Sequence, residues 1–225
     1  MKNLDNTTLC IIDCKYHKES AKSIIYCSSM CDFKFAKKIF ISDIYQDILK
    51  KYNINYINIE KIKSKREYDF FVIKKLSSLI DTDYLLIIQH DGVIYNTSAW
   101  NDNFFKFDYI GAPWPKSPKN INNVGNGGFS LRSKKLMDKV SVSFKEDFCL
   151  EPEDVTISET MYHEMIENNF KYADCITASN FSSELKCSFS NEESFGFHLA
   201  GMDHLVNKTH QSFLKFLYNE MENKI

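Results

Sequence analysis

The first 91 residues contain no glycine, and all seven glycines lie from Gly92 onward. Three of the four prolines crowd between Pro113 and Pro118. The first 91 residues therefore have little use for left-handed turns and read as regular structure, whereas the middle and end demand unusual backbone geometry. Long apolar runs are also missing. No stretch approaches the roughly 18 apolar residues of a transmembrane helix. The opening MKNLDNTTLCIID has no cleavage pattern, which argues against a signal peptide. The formal net charge is −2, so no basic excess exists to neutralise a nucleic-acid backbone. The seven cysteines form no CxxC pair. Cys10/Cys14 and Cys27/Cys31 stand four apart, without the second pair a structural zinc site needs. They read as reduced, mostly buried thiols of a cytoplasmic protein.

What is present suffices for one globular domain. Hydrophobic residues make up 44% of the 225, ample for a core. The first half alternates between strand and helix patterns. Residues 9–13, 38–42, 54–59 and 84–89 read as strands, with residues 20–30, 44–52 and 68–80 as helices between or after them. YLLIIQ (84–89) is apolar almost throughout, as expected at the centre of a sheet. This alternation predicts an α/β fold with a largely parallel sheet. Ligands of such sheets bind outside the carboxyl ends of the strands, where Asp13, Asp43, His90 and Asp91 fall. Beyond them, residues 107–111, 127–132 and 175–178 read as short strands, 153–168 as a long helix and 204–219 as a C-terminal helix. Phe213, Phe216 and Leu217 give that last helix an apolar side, expected to cover the core.

Four segments carry candidate chemistry. Gln89-His90-Asp91-Gly92 puts a carboxylate at a strand end beside a turn, where it can meet a divalent metal or a ribose; an ordinary Asp-Gly turn reads the same way. Gly111-Ala-Pro-Trp114-Pro115 and Gly125-Asn126-Gly127-Gly128-Phe129 combine an indole fixed between prolines with a backbone that a ligand can approach closely. The alternative is a hairpin with a packing tryptophan. Glu153-Asp154 opens the long helix, where one acid can serve as general base or both can merely complement the helix dipole. Phe195-Gly-Phe-His198 frames a histidine that could close a metal site or simply be a satisfied residue.

Taken in order, QHDG, DYIGAPWP, VGNGGFSLRS, EDVTIS and FGFH resemble an uncharacterised bacterial family related to the GT-A glycosyltransferases. The likeness runs from about Tyr68 to His198. A more distant similarity is to the fringe-type β-1,3-glycosyltransferases. The resemblance implies a single GT-A-type (nucleotide-diphospho-sugar transferase) domain over residues 1–225, with a Rossmann-like, mainly parallel mixed sheet flanked by helices. It implies Mn²⁺ or Mg²⁺ held by Asp91 and His198, with Gln89 standing where the fringe-type pattern has its first Asp. It implies Asp154, beside Glu153, as catalytic base. Lys74, Asp13, Asp43, Gln89, His90 and Asp91 would serve the nucleotide. Trp114, Asn126, Gly127, Gly128 and Phe129 would line the sugar or acceptor side.

The expected function is thus an inverting glycosyltransferase. It would move a sugar, a hexose or N-acetylhexosamine, from a nucleotide-sugar such as a UDP-sugar to a bacterial surface glycan or lipid-linked glycan. The expected setting is the cytoplasm, with peripheral contact at the inner membrane and homo-oligomers left open. Two alternatives stand beside it: a metal-independent or retaining transferase of the same fold, and a non-catalytic nucleotide-sugar or glycan-binding module.

Overall fold

The computed structural model describes residues 2–29, 31–117, 119, 121–145, 151–200 and 207–222. Alternation builds its centre. In β1 (Lys2–Ile12), Leu9 and Ile11 join one hydrophobic cluster while Cys10 and Ile12 join another. A strand buried on both faces needs partners on both edges and cover above and below. After β1 come α1 (His17–Ser29), β2 (Phe33–Ser42), the single turn α2 (Ile48–Lys51) and β3 (Asn55–Asn58). Then α3 (Lys65–Lys74), capped by the Ser64 hydroxyl accepting the Glu67 N–H, leads to β4 (Tyr84–Ile88).

The second half is built from shorter pieces. These are β5 (Gly92–Ile94), β6 (Tyr109–Ile110), β7 (Ala112–Pro113), β8 (Val124–Gly125) and β9 (Phe129–Ser133). The Ser133 hydroxyl then caps α4 (Lys134–Ser143). Next, α5 (Glu153–Val155) passes through a π turn, Thr156–Thr160, into α6 (Tyr162–Glu167). The described chain ends with α7 (Cys175–Phe181), β10 (Ser182–Ser183), β11 (Gly196–His198) and α8 (Lys208–Glu222).

The main sheet has six strands in the order β3-β2-β1-β4-β9-β6. β3, β2, β1 and β4 are mutually parallel, and β9 runs antiparallel to both β4 and β6. One face packs on α1 and α8 through Ile24, Ile25, Leu214 and Leu217, and the other on α3 and α4 through Val72, Ile73, Leu136 and Met137. A second, three-stranded sheet, β10-β11-β5, sits beside the carboxyl end of β4. Its register pairs His198 with Gly92, the residue after Asp91. That one pairing carries a residue from late in the chain to the end of the central strand.

The architecture is the α/β fold expected, a mainly parallel sheet between helices. Several elements differ from the sequence reading. Residues 175–178 are helical, not extended, because Asp174 accepts the N–H groups of Ile176 and Thr177 and caps a helix there. The helix expected over 44–52 is one turn, stopped by Asn53 at φ 53°. The helix expected over 153–168 is broken where the Met161 N–H reaches back five residues to the Thr156 carbonyl. On α8 the buried face is His210, Leu214, Leu217 and Met221, while Phe216 points outward, 61% exposed. The expected start of that helix, 204–206, lies outside the described residues, as does residue 30 at the end of the first helix.

Candidate active site

β4 ends at Ile88, and the chain turns there because the Gly92 N–H bonds the Gln89 carbonyl at 3.1 Å. The turn points Asp91 at His198. Asp91 Oδ1 lies 3.3 Å from His198 Nε2 and 3.6 Å from His90 Nδ1. That oxygen is buried and accepts no hydrogen bond from the described residues. The other ring nitrogen of His198 meets Glu184 Oε1 at 3.0 Å. Burial alone would raise the Asp91 carboxyl, but the His198 and His90 charges outweigh it and hold the group at about 2. Burial would lower His198, yet Asp91 and Glu184 raise it to about 10.

The glycine pair forms the floor. A Cβ on Gly128 would overlap the His198 imidazole, and one on Gly127 would overlap the Glu153 carboxylate. Only glycines let the chain entering β9 pass between the two. Asn126 holds this bend at φ 81°, its Oδ1 accepting the N–H groups of Gly128 at 2.9 Å and Phe129 at 3.1 Å. Across the glycines stands Asp154, half-buried, with Oδ2 accepting the Gly127 N–H at 3.1 Å. Burial first, then the neighbouring charges of Glu153 and Glu184, push Asp154 up to about 6; Lys65 and Arg132 oppose them. Glu153 faces the other way. It is 1% exposed and bound through both oxygens by Arg132, at 2.6 and 3.0 Å.

The structure thus brings together Asp91, His198, Gly127, Gly128 and Asp154, and it leaves other expected site residues elsewhere. Lys74 donates to the Ser141 and Phe144 carbonyls and pins α3 to the end of α4, so it does not join this group. Phe129 is fully buried among Phe181 and Phe195, and Trp114 is largely buried with its indole over Gly125, so their faces pack protein. Asn126 is buried scaffolding. Asp13 and Asp43 do lie at strand ends. Asp13 binds the Lys15 and Tyr16 N–H groups and the Ser20 hydroxyl, and Asp43 binds His17 at 2.8 Å. Gln89 donates to the Tyr68 hydroxyl at 3.1 Å. The His90 ring stacks on Tyr16 at 4.1 Å, and its carbonyl accepts from Ser23 and Tyr218.

Sequence reasoning passed over Arg132 and Glu184. Arg132 did leave a signal: a lone cation inside a buried strand, FSLRS, must find a buried partner. Glu184 left none, since its pairing with His198 depends on β10 meeting β11.

A divalent metal can be tested against these atoms. Among the described residues, no three His, Cys, Asp or Glu side chains form a metal-binding group. Asp91 and His198 nevertheless fit the protein's share of a phosphate-bound metal, in which one or two side chains are completed by substrate oxygens and water. Asp91 Oδ1 faces His198 Nε2 at 3.3 Å, so the two atoms could share one metal once the imidazole gives up its proton, and a carboxylate on the far ring nitrogen is the usual support of a ligating histidine.

Comparisons with known proteins bear on the whole chain. The family described as "Protein of unknown function (DUF5672)" matches residues 51–198, well over half of the sequence. The chain belongs to the DUF5672 family. A search of curated proteins finds no match. Among solved structures, the apo form of the glycosyltransferase GlyE of Streptococcus pneumoniae TIGR4 aligns with a TM-score of 0.55 at 11% identity, over all of this chain and 64% of its own. This DUF5672 chain therefore spans less than two thirds of that relative. The galactosyltransferase LgtC, in complex with donor and acceptor sugar analogs, aligns at 0.54 and 12% identity over 97% of this chain and 100% of its own. A glycosyltransferase involved in glycosylation of the major capsid of PBCV-1 aligns at 0.53 and 11% identity, over 93% and 98%. At such identities the likeness is one of fold, and the fold is the GT-A type. No helix among the described residues is long and apolar enough to cross a membrane.

Proposed function

We propose that this protein is an inverting glycosyltransferase that moves a sugar from a nucleotide-sugar donor to a hydroxyl of a glycan or lipid-linked glycan. The carrying observation is the division of labour across the glycine floor. On one side, Asp91 and His198 set a buried carboxylate oxygen and a ring nitrogen 3.3 Å apart. On the other, Asp154 presents a carboxylate whose proton affinity suits proton transfer near neutral pH. A sugar hydroxyl has a very high pKa, so a base must take its proton as it attacks, and a carboxyl poised near the working pH does this best. In-line displacement puts that base opposite the leaving group. Asp154 comes from α5 and Asp91 from the end of β4, as two opposed roles require.

When bound, Mn²⁺ or Mg²⁺ supplies charge neutralisation at the departing diphosphate. Asp91 and His198 would hold it, with Glu184 fixing the ring. The strand ends at Asp13, Asp43 and His90 would serve the nucleotide, a UDP-sugar by preference, and the paired β7 and β8 the acceptor.

The test is a donor panel of UDP-, GDP-, CMP- and TDP-sugars, scored for transfer or slow donor hydrolysis and for binding. Asp154→Asn should lose at least a hundredfold in turnover while donor affinity changes less than threefold. Donor binding with no turnover in the wild type would make the protein a binding module instead.

A further inference from the structure

Arg132 is fully buried in β9, between Leu131 and Ser133, the cap of α4. Burying a guanidinium is expensive, and a buried ion pair seldom outperforms a well-packed hydrophobic replacement. Stability therefore gives no reason for an arginine here. Its geometry suggests another. Two of its nitrogens meet the two oxygens of Glu153, its Nε meets Ser130 Oγ at 3.0 Å, and its plane lies 5.1 Å over the Tyr109 ring. The Glu153 main chain is held as well, its N–H donating to Asp69 Oδ1 at 3.0 Å, with Lys65 paired to that same carboxylate. Residue 153 is thus gripped by side chain and backbone, and Asp154 is the next residue.

We propose that Arg132 is a positioning residue: through Glu153 it fixes the place of the Asp154 carboxylate and sets the electrostatic field in which it works. The inference deepens the transferase reading and rests on it for the role of Asp154. Glu153 is then a positioning residue too, and not a second base, because both its oxygens are already taken. Among the described residues, the charged groups acting on Asp154 are Glu153 on its own helix, Glu184 after β10, Lys65 on α3 and Arg132 on β9, with the Tyr109 hydroxyl on β6 and Asp69 beside Glu153. Glu153 and Glu184 disfavour a second anion, while Arg132 and Lys65 favour it. The pair keeps the net effect small enough for Asp154 to stay ionisable.

The test reads Asp154 directly and needs no donor. The ¹³C-carboxyl resonance of Asp154, assigned by its loss in Asp154→Asn, is titrated in folded protein. Glu153→Gln removes the adjacent anion and leaves the Arg132 cation, so the Asp154 midpoint should fall by about one unit. The double variant Arg132→Met/Glu153→Gln removes both charges and should return it to within about half a unit of wild type. Arg132→Lys keeps the charge and loses the fork. There the Gly127 amide resonance, which reports the Asp154 hydrogen bond, should shift or broaden.

An unmoved Asp154 midpoint in folded Glu153→Gln overturns the proposal. Should that variant not fold, wild-type values of both Gly127 and Asp154 in Arg132→Lys overturn it. Wild-type turnover in Asp154→Asn would instead sink the transferase reading and leave these titrations valid.

Discussion

Asp154 serves two masters, and the conflict is measurable. Its carboxyl stands at about 6 instead of 3.8, so the fold binds that proton more tightly than the unfolded chain does. Stability must then fall as pH rises from about 4 to 6, and the penalty is complete above 6. The shift alone corresponds to about 3 kcal/mol; partial solvation of the carboxylate reduces this to about 1–2 kcal/mol. Asp154→Asn should therefore raise the melting temperature at pH 8 by a few degrees while abolishing turnover, a trade common at active sites. An equal or lower melting temperature at pH 8 would contradict it. As the proposed base, the same carboxyl would set the acid limb of the rate. With Asp154 as base, kcat/KM should drop tenfold per pH unit below about 6, and a profile flat down to pH 4.5 would remove Asp154 from that role. At this scale the sequence was partly legible. Asp91 and Asp154 drew notice because one follows a readable strand and the other opens a readable helix, and His198 only through the likeness carried by FGFH. Glu184 was not, because nothing local distinguishes it from any surface glutamate.

Elements bring these residues to one place, and here the tolerance is small. Gly127 and Gly128, leading into β9, thread between the His198 ring and the Glu153 carboxylate with only hydrogens to spare. Gly128→Ala should push His198 off Asp91, costing about 1–3 kcal/mol in stability and at least a hundredfold in turnover. Val142→Ala on the exposed side of α4, 82% exposed, should stay within about 0.5 kcal/mol of wild type in the same melts. The C-terminal helix reaches the site as well. The Tyr218 hydroxyl and Ser23 both donate to the His90 carbonyl, one residue before Asp91. Tyr218→Phe leaves Ser23 in place, so a loss of about 1 kcal/mol in urea unfolding is expected. Element legibility followed burial. β4 was readable because both its faces are covered. α4 was missed because VSVS at its end alternates like a strand, although the Ser133 cap starts a helix. β11 was missed because three residues acquire meaning only by pairing with β5, about a hundred positions earlier.

The whole molecule explains why these pieces converge at one end of the sheet. Four parallel strands all point their carboxyl ends to the same edge, and β9 returns antiparallel so that its glycine start lies there too. The topology was inferable from strand-helix alternation; the closing three-stranded sheet was not, since it is made by long-range pairs. That closure makes the site a property of the folded chain alone. A ligand bridging β4, β11 and α1 binds no unfolded form, so it must raise stability as RT ln(1 + [L]/Kd). A nucleotide diphosphate at a hundred times its Kd should add about 2.7 kcal/mol, about 5–10 °C in a domain this size. A metal held by Asp91 and His198, as proposed, would be bound largely through the diphosphate. Mn²⁺ alone should therefore shift the melt by less than a degree or two, and nucleotide with Mn²⁺ by far more than either component. Asp91→Asn should reduce the combined shift to that of nucleotide alone. A full nucleotide shift without Mn²⁺, unchanged in Asp91→Asn, would favour the metal-independent transferase, leaving the sheet edge as donor site and Asp154 as base.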